Sequence, residues 1–140
     1  MPASMREVSV ERFVSATPAE VQRTLSPAAL VEYEGSFQVL DVEDEGAETV
    51  VTAGASGVGV TLRFEPRENG LSYEQVGDSG PFDAMWTELA WEPENEGTRV
   101  RASSGVSLGL PLSSVTDRVA AWKRRGELKR ALRNLEADLS

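Results

Sequence analysis

Polar and apolar residues alternate over much of the chain before residue 108, a pattern typical of β-strands with one buried face. The clearest example is the run Val58, Val60, Leu62 and Phe64, whose members are separated by Gly, Thr and Arg. Short segments rich in Gly, Asn and Asp lie between the runs, and such tight turns join antiparallel neighbours. The pattern predicts seven strands, at residues 7–14, 37–43, 48–53, 58–65, 71–76, 82–92 and 98–108.

Two short helices are predicted between the first and second strands. Thr17 and Glu20 have the spacing of a capping box, and proline follows Thr17 at the first helical position, so a helix begins there. The Ser26–Pro27 pair starts a second helix over Ala28–Tyr33, which Gly35 ends. We therefore expect a bent pair of helices and not one straight rod.

One long helical pattern follows the strands, from about Ser114 to Leu139. The element order is strand, two helices, six strands and helix, with no repeat and no internal linker. A long helix after antiparallel strands can cover the concave face of a curved sheet, so that both apolar faces are buried. We predict one α+β domain over residues 1–140, in which a curved seven-stranded antiparallel sheet wraps around the C-terminal helix.

Charge is distributed unevenly along the chain. Residues 111–140 carry seven Lys and Arg against four Asp and Glu, whereas the preceding residues carry seven against nineteen, and the net charge is −9. Only two of the fourteen basic residues are Lys. Such an acidic, lysine-poor composition resembles that of proteins from extreme halophiles, where molar salt limits repulsion to roughly 3 Å; a specific acidic binding surface is the alternative. Nucleic acid is not expected as a partner, because phosphate contacts need cations.

The residue types that the chain lacks exclude several kinds of chemistry. It has no Cys and no His, which excludes disulfides, thiolate and imidazole metal sites, and nucleophilic triads built on His. We expect neither a metal nor a cofactor. No apolar run is long enough to span a bilayer and no secretory signal is visible, so we expect a cytoplasmic protein without stable membrane insertion.

Three segments together resemble the START-like superfamily (SRPBCC), which includes birch-pollen-allergen-like proteins and polyketide cyclases. They are VERFVSATPAEV at Val10–Val21, GTRV at Gly97–Val100, and the helical tail Trp122–Leu139. The resemblance implies a helix-grip fold with a deep cavity between the sheet and the terminal helix. In this superfamily the cavity accepts hydrophobic ligands such as lipids, isoprenoids or polyketides. Catalytic residues are not shared across the superfamily, so none is transferred to this chain.

The terminal helix has two apolar stripes at about 100° per residue. Val115, Val119 and Trp122 lie on the first, and we expect them to line the mouth of the cavity. The second stripe is expected to pack in the core. The alternative is that both stripes simply pack on a twisted sheet. Gly126 lies where the stripe changes face, which indicates a kink or a close contact with a strand. The second stripe comprises Ala121, Leu128, Leu132, Leu135 and Leu139.

The strands supply the opposite wall of the predicted cavity. Tyr73, Gln75 and Thr87 are polar residues on a face that should be dry, so they are either bonded internally or directed at a ligand or water. The residues expected to point inward are Leu62, Phe64, Leu71, Tyr73, Gln75, Met85, Thr87, Leu89 and Trp91. The candidate ligand-binding residues are Trp122, Val119, Val115, Tyr73, Gln75, Met85, Thr87, Leu89 and Phe64.

Two further features indicate possible interaction surfaces. The basic residues Lys123–Arg125, Lys129–Arg130 and Arg133 could hold an anionic headgroup or contact an anionic membrane surface, or they pair internally with carboxylates. Trp86 has the outward strand phase. It is expected to be exposed and to mark a homodimer contact, unless a bulge moves it inward.

Three functions are compatible with these features. The first, which we expect, is a non-enzymatic carrier or sensor whose partner is a small hydrophobic ligand. The second is a cyclase or dehydratase for a polyketide-like substrate, with Tyr, Arg or carboxylate groups as acid and base because the chain has no His. The third is a protein-interaction module with a collapsed cavity. Two or more polar groups that converge deep in a cavity would favour the second function over the first.

Overall fold

The computed structural model describes residues 5–77, 82–107 and 113–139, with the side chains of residues 113–117 left undescribed. Every predicted helix and strand is present, with bounds that differ by three residues at most from the prediction wherever the residues are described. The elements are β1 Arg6–Val14, α1 Pro18–Thr24, α2 Pro27–Glu34, β2 Gln38–Glu45, β3 Glu48–Ala55, β4 Val58–Arg67, β5 Gly70–Val76, β6 Ala84–Glu94, β7 Gly97–Ser107 and α3 Ser113–Leu139.

The seven strands form one sheet in the order β1-β7-β6-β5-β4-β3-β2, and every neighbouring pair is antiparallel. Helix α3 packs mainly against β1, β7 and α2. This is the helix-grip arrangement, and it confirms the predicted fold class. Among the described helices, none is both long enough and apolar enough to cross a bilayer.

The two short helices form as the sequence predicts. The Glu20 backbone N–H donates to Thr17 Oγ1 at 3.1 Å, and the Thr17 N–H donates to Glu20 Oε1 at 3.4 Å, so the capping box is complete. Helix α2 ends at Gly35, whose φ of +83° lies in the left-handed region that glycine adopts without strain. This stop leaves Glu34 as the last residue of α2, next to α3.

The face of α3 that meets the sheet carries the second predicted stripe. Ala121, Leu128, Leu132 and Leu135 are all buried, which confirms the prediction for this half of the helix. Gly126 is exposed, and a side chain added there would meet no atom within 4 Å. Of the two alternatives expected for Gly126, a kink or a close contact with a strand, the close contact is therefore wrong. Helix α3 spans Ser113–Leu139.

Trp86 is half-buried, which corrects the expectation that it is exposed. Its ring lies against Gly105 on β7, where any side chain would collide with it, and its Nε1–H points to Met5 Sδ at 3.1 Å. The pairing of β6 with β7 is regular, so no bulge turns Trp86 inward. The absence of a side chain at Gly105 makes room for the ring.

Candidate functional site

A cavity of about 240 Å³ lies between the sheet and α3. One part of its wall is apolar and the other is polar. The apolar wall is formed by Val31, Phe37, Val60, Leu62, Phe82, Met85 and Ala120, and the polar wall by Glu34, Ser36, Tyr73, Lys123, Arg124 and Glu127.

Arg124 is the centre of the polar wall, and it is only 3% exposed. Its Nη1 donates to Glu34 Oε1 at 2.6 Å and to Glu127 Oε1 at 3.0 Å. On the sheet side, Nε donates to Ser104 Oγ at 3.0 Å, and Nη2 donates to Thr87 Oγ1 at 2.7 Å. Nη2 also donates to the Tyr73 hydroxyl.

The two carboxylates have further partners of their own. The Tyr73 hydroxyl donates to Glu34 Oε2 at 2.6 Å, and the Ser36 hydroxyl donates to Glu127 Oε2. The side chains of Glu34 and Glu127 are each only 10% exposed. We call Glu34, Tyr73, Arg124 and Glu127 the polar cluster. Its formal charge with both carboxylates ionised is −1.

Three elements bring the polar cluster together. Glu34 comes from the end of α2, and Arg124 and Glu127 lie one turn apart on the inner face of α3. Beneath them, Tyr73 on β5 is the cross-strand partner of Thr87 on β6, and Thr87 is the partner of Ser104 on β7. This row of hydroxyls across three strands receives the sheet side of the guanidinium. A buried cation can be held this way because each of its donors meets an acceptor.

Comparison with known proteins identifies the family. Residues 5–140 match the family model described as polyketide cyclase / dehydrase and lipid transport. The chain belongs to this family. No curated protein matches it at a significant level.

Solved structures with the same fold include relatives with different printed descriptions. A protein of Thermus thermophilus is 25% identical, with 96% of this chain and 100% of its own chain covered and a TM-score of 0.67. The ZhuI aromatase/cyclase of Streptomyces sp. R1128 is 15% identical, with coverage of 98% and 97% and a TM-score of 0.73. A START superfamily protein of Mycobacterium smegmatis is 14% identical, with 97% of both chains covered and a TM-score of 0.70. The latter two show the START-like fold alone.

Burial and neighbouring charges set the protonation of the cluster in this member of the polyketide cyclase / dehydrase and lipid transport family. Burial alone would lower the pKa of Arg124, but the charge and hydrogen bond of Glu34 and the charge of Glu127 raise that pKa well above its ordinary value. Burial raises the pKa of Tyr73, Arg124 opposes the rise, and Glu34 adds to it through its charge and hydrogen bond. Arg124 is therefore a permanent cation, and Tyr73 is a neutral hydrogen-bond donor.

The second tyrosine also resists ionisation, which gives a pH prediction. Burial and a 2.5 Å hydrogen bond to Asp138 raise the pKa of Tyr33, and the chain has only two tyrosines. We expect the folded protein to show little phenolate absorbance at about pH 10, where an unfolded chain is half ionised. Because both folded-state pKa values are raised, the associated stability is present below about pH 10 and is lost as the pH rises through the folded values. Phenolate absorbance that appears near pH 10 without unfolding would contradict this.

The predicted sheet residues occupy three different environments in this family member. Tyr73 and Met85 line the cavity, whereas Phe64 and Leu89 are buried in the core and are absent from the cavity wall. Thr87 is bonded to Ser104 and Arg124, and Gln75 Nε2 donates to the Phe82 carbonyl at 2.6 Å. Thr87 and the amide nitrogen of Gln75 are therefore bonded internally, whereas Gln75 Oε1 is buried without a partner among the described residues. Tyr73 is both bonded internally and open to the cavity.

The predicted helix residues do not line the cavity. Trp122 is 77% exposed and Val119 is 61% exposed, and neither belongs to the cavity wall. The side chain of Val115 lies outside the described residues. The side chains of Trp122 and Arg124 are separated by about 200° around the helix axis, so they lie on nearly opposite sides of α3. Because Arg124 faces the sheet, Trp122 must face solvent, so the expected position of the Val119–Trp122 stripe is wrong.

The exposed position of Trp122 predicts that its removal has little effect. Trp122→Ala should change the free energy of unfolding by no more than about 0.5 kcal/mol, as for other surface substitutions, and should leave uptake of an apolar probe unchanged. Urea denaturation and a fluorescence titration measure both quantities. Phe37→Ala, which alters the cavity wall, is the matched aromatic control and should change uptake. A loss of uptake in Trp122→Ala alone would contradict the assigned cavity.

Sequence reasoning missed Glu34, Arg124 and Glu127 as site residues. One signal was available, because Arg124 lies three residues after Ala121 and four before Leu128, which places it on the buried stripe. The prediction treated the basic residues of this helix as one cluster, but the structure separates them. Arg124 is buried, and Arg130 donates to the Glu34 carbonyl at 2.9 Å. The residues Arg125, Lys129 and Arg133 line an open groove beside β1.

Proposed function

We propose that this protein binds a small hydrophobic ligand in the cavity between the sheet and α3. The observation that carries the proposal is the cavity of about 240 Å³, whose wall is largely apolar and ends in the polar cluster. An apolar pocket with a few convergent polar groups is the usual form of a small-molecule site, although such sites more often hold roughly 300–1,000 Å³. The family description, which includes lipid transport, supports the same function.

A saturable titration tests this proposal. The neutral dye N-phenylnaphthylamine is added to the folded protein, and octanol is then used to displace it. We expect saturable fluorescence with one site per chain, and full reversal by octanol. The urea-unfolded protein is the control for nonspecific binding. Fluorescence that rises without saturation, or that octanol does not reverse, would contradict a defined site.

A cyclase or dehydratase is the second candidate, and a specific observation favours it. Four polar groups converge on the cavity, and the fold is shared with the ZhuI aromatase/cyclase. In such a reaction Glu127 would exchange the proton and neutral Tyr73 would polarise a carbonyl. We place this function second because the Tyr73 hydroxyl and the Arg124 donors are already bonded to neighbours. Chromatographic detection of a cyclised product from a linear poly-β-ketone, formed only with the folded protein, would place this function first.

The third candidate, a protein-interaction module with a collapsed cavity, is disfavoured by the cavity volume of about 240 Å³.

We also propose that the acidic surface is an adaptation to high salt. The net charge of −9 must repel itself in dilute buffer, and molar salt screens this repulsion. The thermal midpoint should rise by at least about 3 °C between dilute buffer and molar KCl. An increase of about 1 kcal/mol in the free energy of unfolding produces such a shift in a domain of this size. Scanning calorimetry in both solutions measures it. A midpoint that stays constant or falls would reject the adaptation.

A further inference from the structure

The donors of Arg124 are fully used within the protein. A guanidinium has five N–H groups. Nε–H is directed at Ser104, the two on Nη1 at Glu34 and Glu127, and the two on Nη2 at Thr87 and the Tyr73 hydroxyl. Arg124 therefore has no donor left for a ligand, although it lies in the cavity wall.

The two hydroxyl donors at this end of the cavity are bonded to carboxylates. The Tyr73 O–H is directed at Glu34 Oε2, and the Ser36 O–H at Glu127 Oε2. Each ionised carboxylate can accept about four hydrogen bonds, and Glu127 accepts one at each oxygen from the described residues. The free hydrogen-bonding capacity of the polar cluster therefore consists of acceptors.

The net charge of the polar cluster also favours a partner that donates hydrogen bonds. Two carboxylates with side chains 10% exposed face one guanidinium that is 3% exposed. A buried charge without a counter-charge is costly. Lys123 also borders the cavity, but it is exposed, and water and salt screen its charge. A further positive charge or donor beside Glu127 would complete the cluster.

We propose that the cavity selects hydrophobic ligands whose polar end donates hydrogen bonds, a primary amine most strongly and a hydroxyl less so. It discriminates against ligands that end in a carboxylate. An ammonium group beside Glu127 brings the cluster to neutrality and uses its free acceptors. A ligand carboxylate would instead meet two like charges, and the donors of Arg124, Tyr73 and Ser36 are already bonded. Among the described residues of the cavity wall, only the exposed Lys123 could donate to it, so the polar cluster supplies a repulsive basis for specificity. This selectivity rests on the proposed function, since it requires that the cavity be occupied.

The test compares three ligands with the same chain: octylamine, octanol and octanoate. Each displaces N-phenylnaphthylamine at neutral pH in about 0.5 M KCl, which suppresses the long-range field of the acidic surface. We expect octylamine to bind at least about tenfold more tightly than octanoate, with octanol between them. A tenfold ratio of affinities corresponds to about 1.4 kcal/mol of binding free energy. Glu127→Gln retains an oxygen for Arg124 and should reduce the amine-to-carboxylate ratio by about tenfold. Glu32→Gln makes the same charge change on the exposed face of α2 and should leave the ratio unchanged.

The outcomes separate this inference from the proposed function. If octanoate binds as tightly as octylamine or more tightly, the selectivity is wrong, while binding of octanol still supports the cavity as a ligand site. If Glu32→Gln changes the ratio as much as Glu127→Gln, the preference comes from overall charge and the inference fails. If none of the three ligands binds, the proposed function fails. The ranking on the unmodified protein gives a result even if Glu127→Gln does not fold.

Discussion

Replacing Arg124 with Met should lower the free energy of unfolding by about 3–5 kcal/mol, the usual cost of removing one partner from a buried ion pair. The substitution leaves the buried carboxylates of Glu34 on α2 and Glu127 on α3 without the cation that both contact. It also removes the donors for Thr87 and Ser104. Urea denaturation followed by circular dichroism measures the loss.

The neighbouring residue provides a matched control for this substitution. Arg125 is exposed, so Arg125→Met should change stability by no more than about 0.5 kcal/mol. Adding Glu34→Gln and Glu127→Gln to Arg124→Met should recover most of the lost stability, because the uncompensated charges are then gone. A loss below about 1 kcal/mol for Arg124→Met would show that the polar cluster does not depend on its cation.

The second large effect concerns ligand binding. Ala120 lines the cavity from α3, so Ala120→Phe should place a ring in the space that the ligand occupies. We expect the affinity for octanol to fall at least about tenfold, while the domain stays folded because the new ring enters a cavity and not a filled core. Displacement titration and a thermal melt measure the two quantities.

Val119→Phe is the control for the cavity-filling substitution. It adds a ring at the adjacent position of the same helix, on the side exposed to solvent, and should leave octanol binding unchanged. Equal losses in both variants, or unchanged binding in Ala120→Phe, would mean that octanol binds elsewhere.

Local sequence patterns were sufficient to predict the elements of this fold. The alternation of Val58 to Phe64 predicted β4, and the Thr17 capping box and Gly35 predicted the ends of the two short helices. These features depend on neighbouring residues, so they can be read along the chain. The position of Trp86 depended on a contact with Gly105, which lies in another strand, and no local pattern contained it.

The candidate site was only partly predictable, for a physical reason. Tyr73 and Met85 were found because strand phase places them inward. Glu34 and Arg124 are 90 positions apart in the chain, so the spacing that places Arg124 on the buried stripe does not reveal its partner.

Arg124 faces the sheet on the same stripe as the buried Ala121 and Leu128, where Glu34 pairs with its charge. Trp122 lies on the opposite side of the helix. Apolar character alone therefore misplaced the first stripe of α3, because Val119 and Trp122 face solvent although the second stripe is buried as predicted.

Crystals of the protein soaked with bromooctane show whether a ligand enters the cavity between the sheet and α3, because anomalous scattering locates the bromine without any assumed pose. We expect a bromine site inside the cavity, near Val60, Leu62 and Met85, and the loss of that site in Ala120→Phe. A bromine found only on the exposed side of α3 near Trp122, or no ordered bromine at all, would contradict a ligand site between the sheet and the helix.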